Sequence, residues 1–93
     1  MNQQTRVEVV IHGRVQGVFF RSSTRDKARS VGVKGYVRNL PDGTVEAVFE
    51  GNKTDVEKIV SWYHNGPPSA RVKSVDVNWT EPTGEFSSIS IRY

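Results

Sequence analysis

The chain has 93 residues, of which 35% are apolar and 25% charged, with a formal net charge of +3 and no cysteine. That length leaves room for one core, so a single domain over residues 1–93 is expected; the missing cysteines exclude disulfides, thiolate metal sites and cysteine nucleophiles. Residues 1–6 are polar and no run is long enough to span a bilayer, so a cytoplasmic protein without a membrane partner is expected, with a mildly basic surface suited to anionic ligands.

Residues 1–5 read as a frayed tail and residues 6–12 as the first strand, with Val7, Val9 and Ile11 on one face and Glu8 and Val10 on the other. His12 ends this strand, and the reading for a lone histidine there is structural. Next comes Gly13-Arg14-Val15-Gln16-Gly17-Val18-Phe19-Phe20-Arg21, with two glycines, two arginines and no acidic side chain. Glycine permits positive φ, so successive N–H groups can face one concavity, and the helix that follows adds free N–H groups and a positive dipole end. Arg21, at or just before the first helical turn, can close over an oxyanion with two parallel hydrogen bonds. The chemistry is that of a phosphate or carboxylate cradle. The spacing is neither that of a Walker A loop nor that of a dinucleotide fingerprint. A tight strand-to-helix turn with a solvated arginine is an equal alternative at this point.

Residues 22–31 read as a helix, with Phe20, Thr24, Ala28 and Val31 along one face, Ser22 or Ser23 as its cap and Gly32 as its stop. Residues 33–40 form a second strand, Pro41-Asp42-Gly43 a turn, and residues 44–50 a third strand alternating Val45, Ala47 and Phe49 with Glu46, Val48 and Glu50, which together make a hairpin. After a loop at 51–53, Thr54-Asp55-Val56-Glu57 matches a capping box. Val56, Ile59, Val60 and Tyr63 then form the buried stripe of a second helix, stopped by Asn65-Gly66-Pro67-Pro68. Residues 71–80 are a strand with Val75, Val77 and Trp79 on one face, residues 81–85 a turn, and residues 86–93 a last short strand. Phe49, Trp62, Trp79 and Phe86 are expected to enlarge the core. The order is β-α-β-β-α-β plus a short C-terminal strand. It predicts an α+β, ferredoxin-like split βαβ fold, with two helices on one face of a mostly antiparallel sheet.

That topology carries a geometric expectation. The first and second strands of a β-α-β crossover run parallel, so their C-terminal ends share one edge of the sheet. The glycine loop follows the first strand and Asn39 stands near the end of the second. Asn39 therefore belongs at the edge that carries Arg21, with the third strand between. Its amide can hold a water against a bound phosphate, or it can start the hairpin through an Asx-type hydrogen bond, which on the residues alone is the plainer role.

Gly13 to Arg21, as quoted above, resembles the signature loop of the acylphosphatases. Gly35-Tyr36-Val37-Arg38-Asn39-Leu40-Pro41-Asp42-Gly43-Thr44-Val45-Glu46 resembles the second signature of that family, and the likeness extends through Gly-Pro-Pro-Ser-Ala-Arg-Val from Gly66. Phe19 stands where many members carry glycine. The resemblance implies hydrolysis of acyl phosphates to a carboxylate and inorganic phosphate with neither metal nor cofactor. It implies that the loop backbone, Val15, Gln16, Gly17, Val18, Phe19 and Phe20, binds phosphate together with Arg21, and that Asn39 positions the attacking water. Inorganic phosphate is then product and inhibitor, and a monomer is the default. Arg14 and Arg38 read as solvated charges. The competing expectation is a non-catalytic anion- or RNA-binding module: Lys34-Gly35-Tyr36 matches the start of an RNP1 motif, but Val37-Arg38-Asn39 replaces the Gly/Ala-Phe-Val that should follow. No nucleic-acid partner is expected.

Overall fold

The alternation of β-branched residues after the polar start does build a strand, and a longer one than the pattern alone suggests. The computed structural model describes residues 3–17, 20–64, 66 and 70–92. In it β1 (Gln4–Arg14) runs through Gly13 and Arg14, because β4 (Arg71–Thr80) pairs with it as far as Arg14↔Arg71. A register shift between His12 and Gly13 marks a bulge, and a Cβ on Gly13 would collide with the Arg71 carbonyl, so only glycine admits this close approach. Val7, Val9 and Ile11 are fully buried.

Helix α1 (Phe20–Val31) buries Phe20, Thr24 and Ala28 of the expected stripe, while Val31 at its end is only partly buried against the core. It begins at Phe20, so Ser22 and Ser23 lie inside its first turn and are not its caps. Gly32, with φ at +80°, and Val33 both donate to the Ala28 carbonyl and end the helix. β2 (Lys34–Asn39) and β3 (Val45–Asn52) form the expected antiparallel hairpin. Asp42 makes its turn: Oδ1 accepts from the Thr44 N–H at 3.0 Å and the Thr44 hydroxyl at 2.6 Å, and Gly43 takes φ of +92°. Those hydrogen bonds hold the Asp42 carboxyl below its usual range, the Thr44 hydroxyl most strongly.

β3 continues through Gly51 and Asn52, where a loop was expected, and passes directly into α2 (Lys53–Tyr63). The capping box is not formed. Asn52 is the N-cap without a side-chain capping bond; its Oδ1 accepts from Gln4 Nε2 at 2.7 Å, while the Lys53 N–H donates to the Gln3 carbonyl. Pairing of β1 with β3 thus takes the groups that a cap would have used. Val56, Ile59, Val60 and Tyr63 are buried as expected. The stop at 65–68 lies outside the described residues except for Gly66.

The sheet order is β4-β1-β3-β2-β5. All neighbours are antiparallel except β2 and the short β5 (Ile89–Arg92), which run parallel. β1 and β2 are parallel through β3 between them, and Val45 at the start of β3 pairs with both Ile11 and Asn39. Helix α1 packs over β2 and β5, and α2 over β1 and β3, on one face. The fold is the ferredoxin-like split βαβ arrangement with an added C-terminal strand.

Two aromatic placements differ from expectation. Neither helix packs substantially over edge strand β4, so Trp79 is 44% exposed rather than buried. The last strand is only Ile89–Arg92; Phe86 precedes it and packs on the open face of the sheet, 6.0 Å from Tyr36, with the Arg6 guanidinium 5.4 Å above its ring. Glu50 fastens this segment. Its Oε2 accepts from Arg6 at 2.8 Å, the Thr83 N–H at 3.1 Å and the Thr83 hydroxyl at 2.8 Å, and its Oε1 accepts from the Gly84 N–H at 3.0 Å. Burial alone would raise the Glu50 pKa, but the Thr83 and Gly84 N–H groups, Arg6 and the Thr83 hydroxyl outweigh it and hold the carboxyl at about 2.

Candidate active site

Strand β1 ends at Arg14 and the chain turns through Val15, Gln16 and Gly17 toward α1. Val15 is fully buried and pins the turn to the core. Gly17 adopts φ of +73° with open space where a Cβ would be, so its requirement is conformational rather than steric. Val18 and Phe19, named above as phosphate binders, lie outside the described residues. Phe20 opens α1 with its ring buried, and Arg21 stands in the first helical turn, half-buried. No acidic residue occupies that turn, so its own side chains add no negative charge to the positive end of the helix.

A cavity of about 270 Å³ lies at this end of the sheet, lined by Val15, Gly17, Phe20, Arg21, Ser22, Asn39 and Ile91. Among the described residues its wall contains a guanidinium, an amide, a hydroxyl and a helix start, and no carboxylate. Asn39 ends β2 on the face it shares with Val37, directed toward the helices. Its Oδ1 is buried and has no hydrogen-bond partner among the described residues. The Asx role at the hairpin belongs to Asp42, so Asn39 is not the residue that starts the turn. A buried acceptor left open is costly unless something binds it. Arg21 and Asn39, 18 positions apart in sequence, are thus two walls of one cavity.

Gln16 contributes something the sequence did not disclose. Its Nε2 donates to the Leu40 carbonyl and to the Thr44 carbonyl, both at 2.8 Å, so the amide straps the loop to the hairpin that follows Asn39. Ser22 and Ile91 also line the cavity without having been singled out. No local signal reveals them, since Ile91 arrives from β5 through its parallel pairing with Val37. His12 bonds to Asp76 at 2.8 Å and does not line the cavity, nor does His64. Arg38 pairs with Glu46 at 2.7 Å, which raises the guanidinium pKa further.

The acylphosphatase family model matches residues 7–91. An acylphosphatase of Roseiflexus sp. (strain RS-1) is 58% identical over 91 residues, 98% of each chain. The structure of an acylphosphatase from Coxiella burnetii superposes with a TM-score of 0.91 at 36% identity, covering 98% of this chain and 94% of that one. The acylphosphatase from Bacillus subtilis gives 0.91 at 30% identity, covering 96% and 99%. With the cavity at the shared edge of β1 and β2 and these matches along nearly its whole length, the chain belongs to the acylphosphatase family.

Proposed function

We propose that this hydrolase cleaves acyl phosphates, R–CO–O–phosphate, by holding the phosphate on the backbone of residues 15–20 and on Arg21 while Asn39 aims a water at phosphorus. The observation that carries the proposal is the open acceptor of Asn39, buried in the wall that Arg21 and the start of α1 also form. An acceptor there accepts a hydrogen bond from the water and so turns one of the water's lone pairs toward phosphorus, in line with the departing carboxylate.

The chemistry asks for little else. The leaving group is a carboxylate with a conjugate-acid pKa of about 4, so it departs as an anion and needs no general acid. Phosphoryl transfer depends on position and on stabilising the charge of the equatorial oxygens. Arg21 and the helix start supply that charge. The bound phosphate itself accepts the proton of the attacking water, so no histidine and no metal or other cofactor enters the proposal. Neither histidine lines the cavity, in keeping with a base-free step. A cytoplasmic monomer acting alone on a small substrate completes the proposal.

The rival reading, an RNA-binding module, needs free aromatic rings on the open sheet face. Tyr36 on that face is bonded to Glu46 at 3.0 Å and lies under the Arg92 guanidinium at 3.9 Å. Glu8 and Asp76 add negative charge nearby. Neither feature favours a nucleic acid.

The test is hydrolysis of an aromatic acyl phosphate in the presence of chelator by the wild type, Arg21→Ala and Asn39→Ala. Turnover by the wild type is expected. Arg21→Ala should lose both phosphate binding and turnover, whereas Asn39→Ala should keep phosphate inhibition and lose turnover. A folded wild type without turnover would refute the proposal, and equal loss of binding and turnover in Asn39→Ala would refute the water-positioning role.

A further inference from the structure

A buried link runs from α2 to the first turn of α1. The Tyr63 hydroxyl donates to Thr24 Oγ1 at 2.9 Å, and the Thr24 hydroxyl donates to the Phe20 carbonyl at 2.8 Å. The Tyr63 ring also stacks on the Phe20 ring, with centroids 5.3 Å apart and planes 17° from parallel. One residue of α2 therefore grips Phe20 at two points, the ring directly and the carbonyl through Thr24. Gly66 closes on the same ring: a Cβ there would come within 3.1 Å of Phe20 Cε2.

Phe20 is the junction of the site. It is the last residue of the proposed cradle, the first of α1, part of the cavity wall and the neighbour of Arg21. Core burial does not call for the two hydroxyls. Tyr63 and Thr24 are both fully buried, and phenylalanine and valine would fill those places with no polar group to satisfy. Threonine is also a poor helix former, and its bond to the carbonyl four residues earlier bends a helix. What the hydroxyls add is direction: they fix where the Phe20 carbonyl points, and with it the plane of the peptide that leads into Arg21. Burial pushes the Tyr63 hydroxyl above its ordinary range, so it stays a donor at any working pH.

We infer that Tyr63, acting through Thr24 and Phe20, is a positioning residue for Arg21 and the end of the phosphate cradle. The inference rests on the function proposed above. It extends the site from the cavity wall to a second helix that touches no substrate.

The experiment measures KM, kcat and the inhibition constant of inorganic phosphate for folded variants. Tyr63→Phe keeps the ring stack and removes only the hydroxyl. Its KM and phosphate inhibition constant should rise together by about three- to tenfold, the binding equivalent of one lost hydrogen bond. Thr24→Ser keeps both bonds and should stay within about twofold of wild type, whereas Thr24→Val, which removes both bonds, should raise the two constants at least as much as Tyr63→Phe. The double variant should be no worse than the worse single, because the link is already cut. Val56→Ala, a buried change on the same helix outside the link, should lower stability and leave the phosphate constant unchanged. Wild-type phosphate constants in Tyr63→Phe would overturn the inference, as would an equal rise in Val56→Ala. If Thr24→Val fails to fold, Tyr63→Phe decides alone. A wild type with no turnover overturns the proposed function and this inference with it, whereas a turning-over wild type beside an unaffected Tyr63→Phe overturns the inference only.

Discussion

Replacing Glu50 with glutamine should expose how the segment at residues 81–88 is held to the sheet. The Glu50 side chain is 8% exposed, and its carboxylate accepts four hydrogen bonds, one of them from the Arg6 guanidinium. Its pKa falls from an ordinary 4.5 to about 2. A carboxyl whose folded pKa lies below its unfolded value adds stability that is complete above the unfolded pKa and drains away as pH falls through the folded one. Here the contribution is about 3 kcal/mol at neutral pH. By linkage it shrinks to about 1 kcal/mol near pH 2.5 and vanishes below. Glutamine has nearly the same shape, but its amide nitrogen must face a donor, so Glu50→Gln should cost about 2–3 kcal/mol at neutral pH, or roughly 10–20 °C in Tm for a chain of this size. Urea unfolding followed by the fluorescence of Trp62 and Trp79 between about pH 7 and pH 2.5 gives the difference between the two proteins. That difference should close as the pH falls from about 4.5 to 2.5. A gap that stays constant across this range would mean that Glu50 titrates normally and that the clasp does not hold the segment.

Other outcomes follow from the site. Arg21→Lys should fail to restore the activity lost in Arg21→Ala, because an ammonium lacks the planar fork; near-normal kcat/KM in the lysine variant would contradict bidentate phosphate binding. Gln16→Leu removes both bonds from the loop to the hairpin and should cost about 1–3 kcal/mol of stability, with kcat falling further than phosphate affinity as Asn39 loses its height above the loop. Unfolding midpoints and initial rates on one preparation would check both. Simple alkyl phosphates should turn over at least about a thousandfold more slowly than an aromatic acyl phosphate, since an alkoxide must be protonated as it leaves. Comparable rates would show that an acid operates in the cavity.

Much of the fold could be read because its cause is local. The stripe Val56, Ile59, Val60 and Tyr63 has helical spacing, and Pro41-Asp42-Gly43 carries its own turn chemistry. The nearness of Asn39 to the glycine loop followed from the parallel rule for a crossover, which needs no side-chain detail. What stayed hidden depends on partners far along the chain. The Gln16 amide bonds to carbonyls 24 and 28 residues away. The Thr54 capping signal was real chemistry that strand pairing overrode at Asn52. Alternation in β4 predicted an apolar face for Trp79 but not that the helices would leave it uncovered. Glu50 looked like an ordinary outward glutamate, because nothing near it in sequence announces Arg6, Thr83 and Gly84.

Val45 pairs with both Ile11 and Asn39, so a single β3 residue sets the height of the hairpin relative to the glycine loop. The spacing of the two halves of the site is thus gauged by a strand that supplies no functional group. One residue inserted early in β3 would slide Asn39 by about 3.3 Å against the loop, and the pleat would turn later side chains to the wrong face. Length variation in descendants of this chain should therefore collect at residues 81–88, outside that gauge, and spare residues 40–45, however freely the side chains there are exchanged.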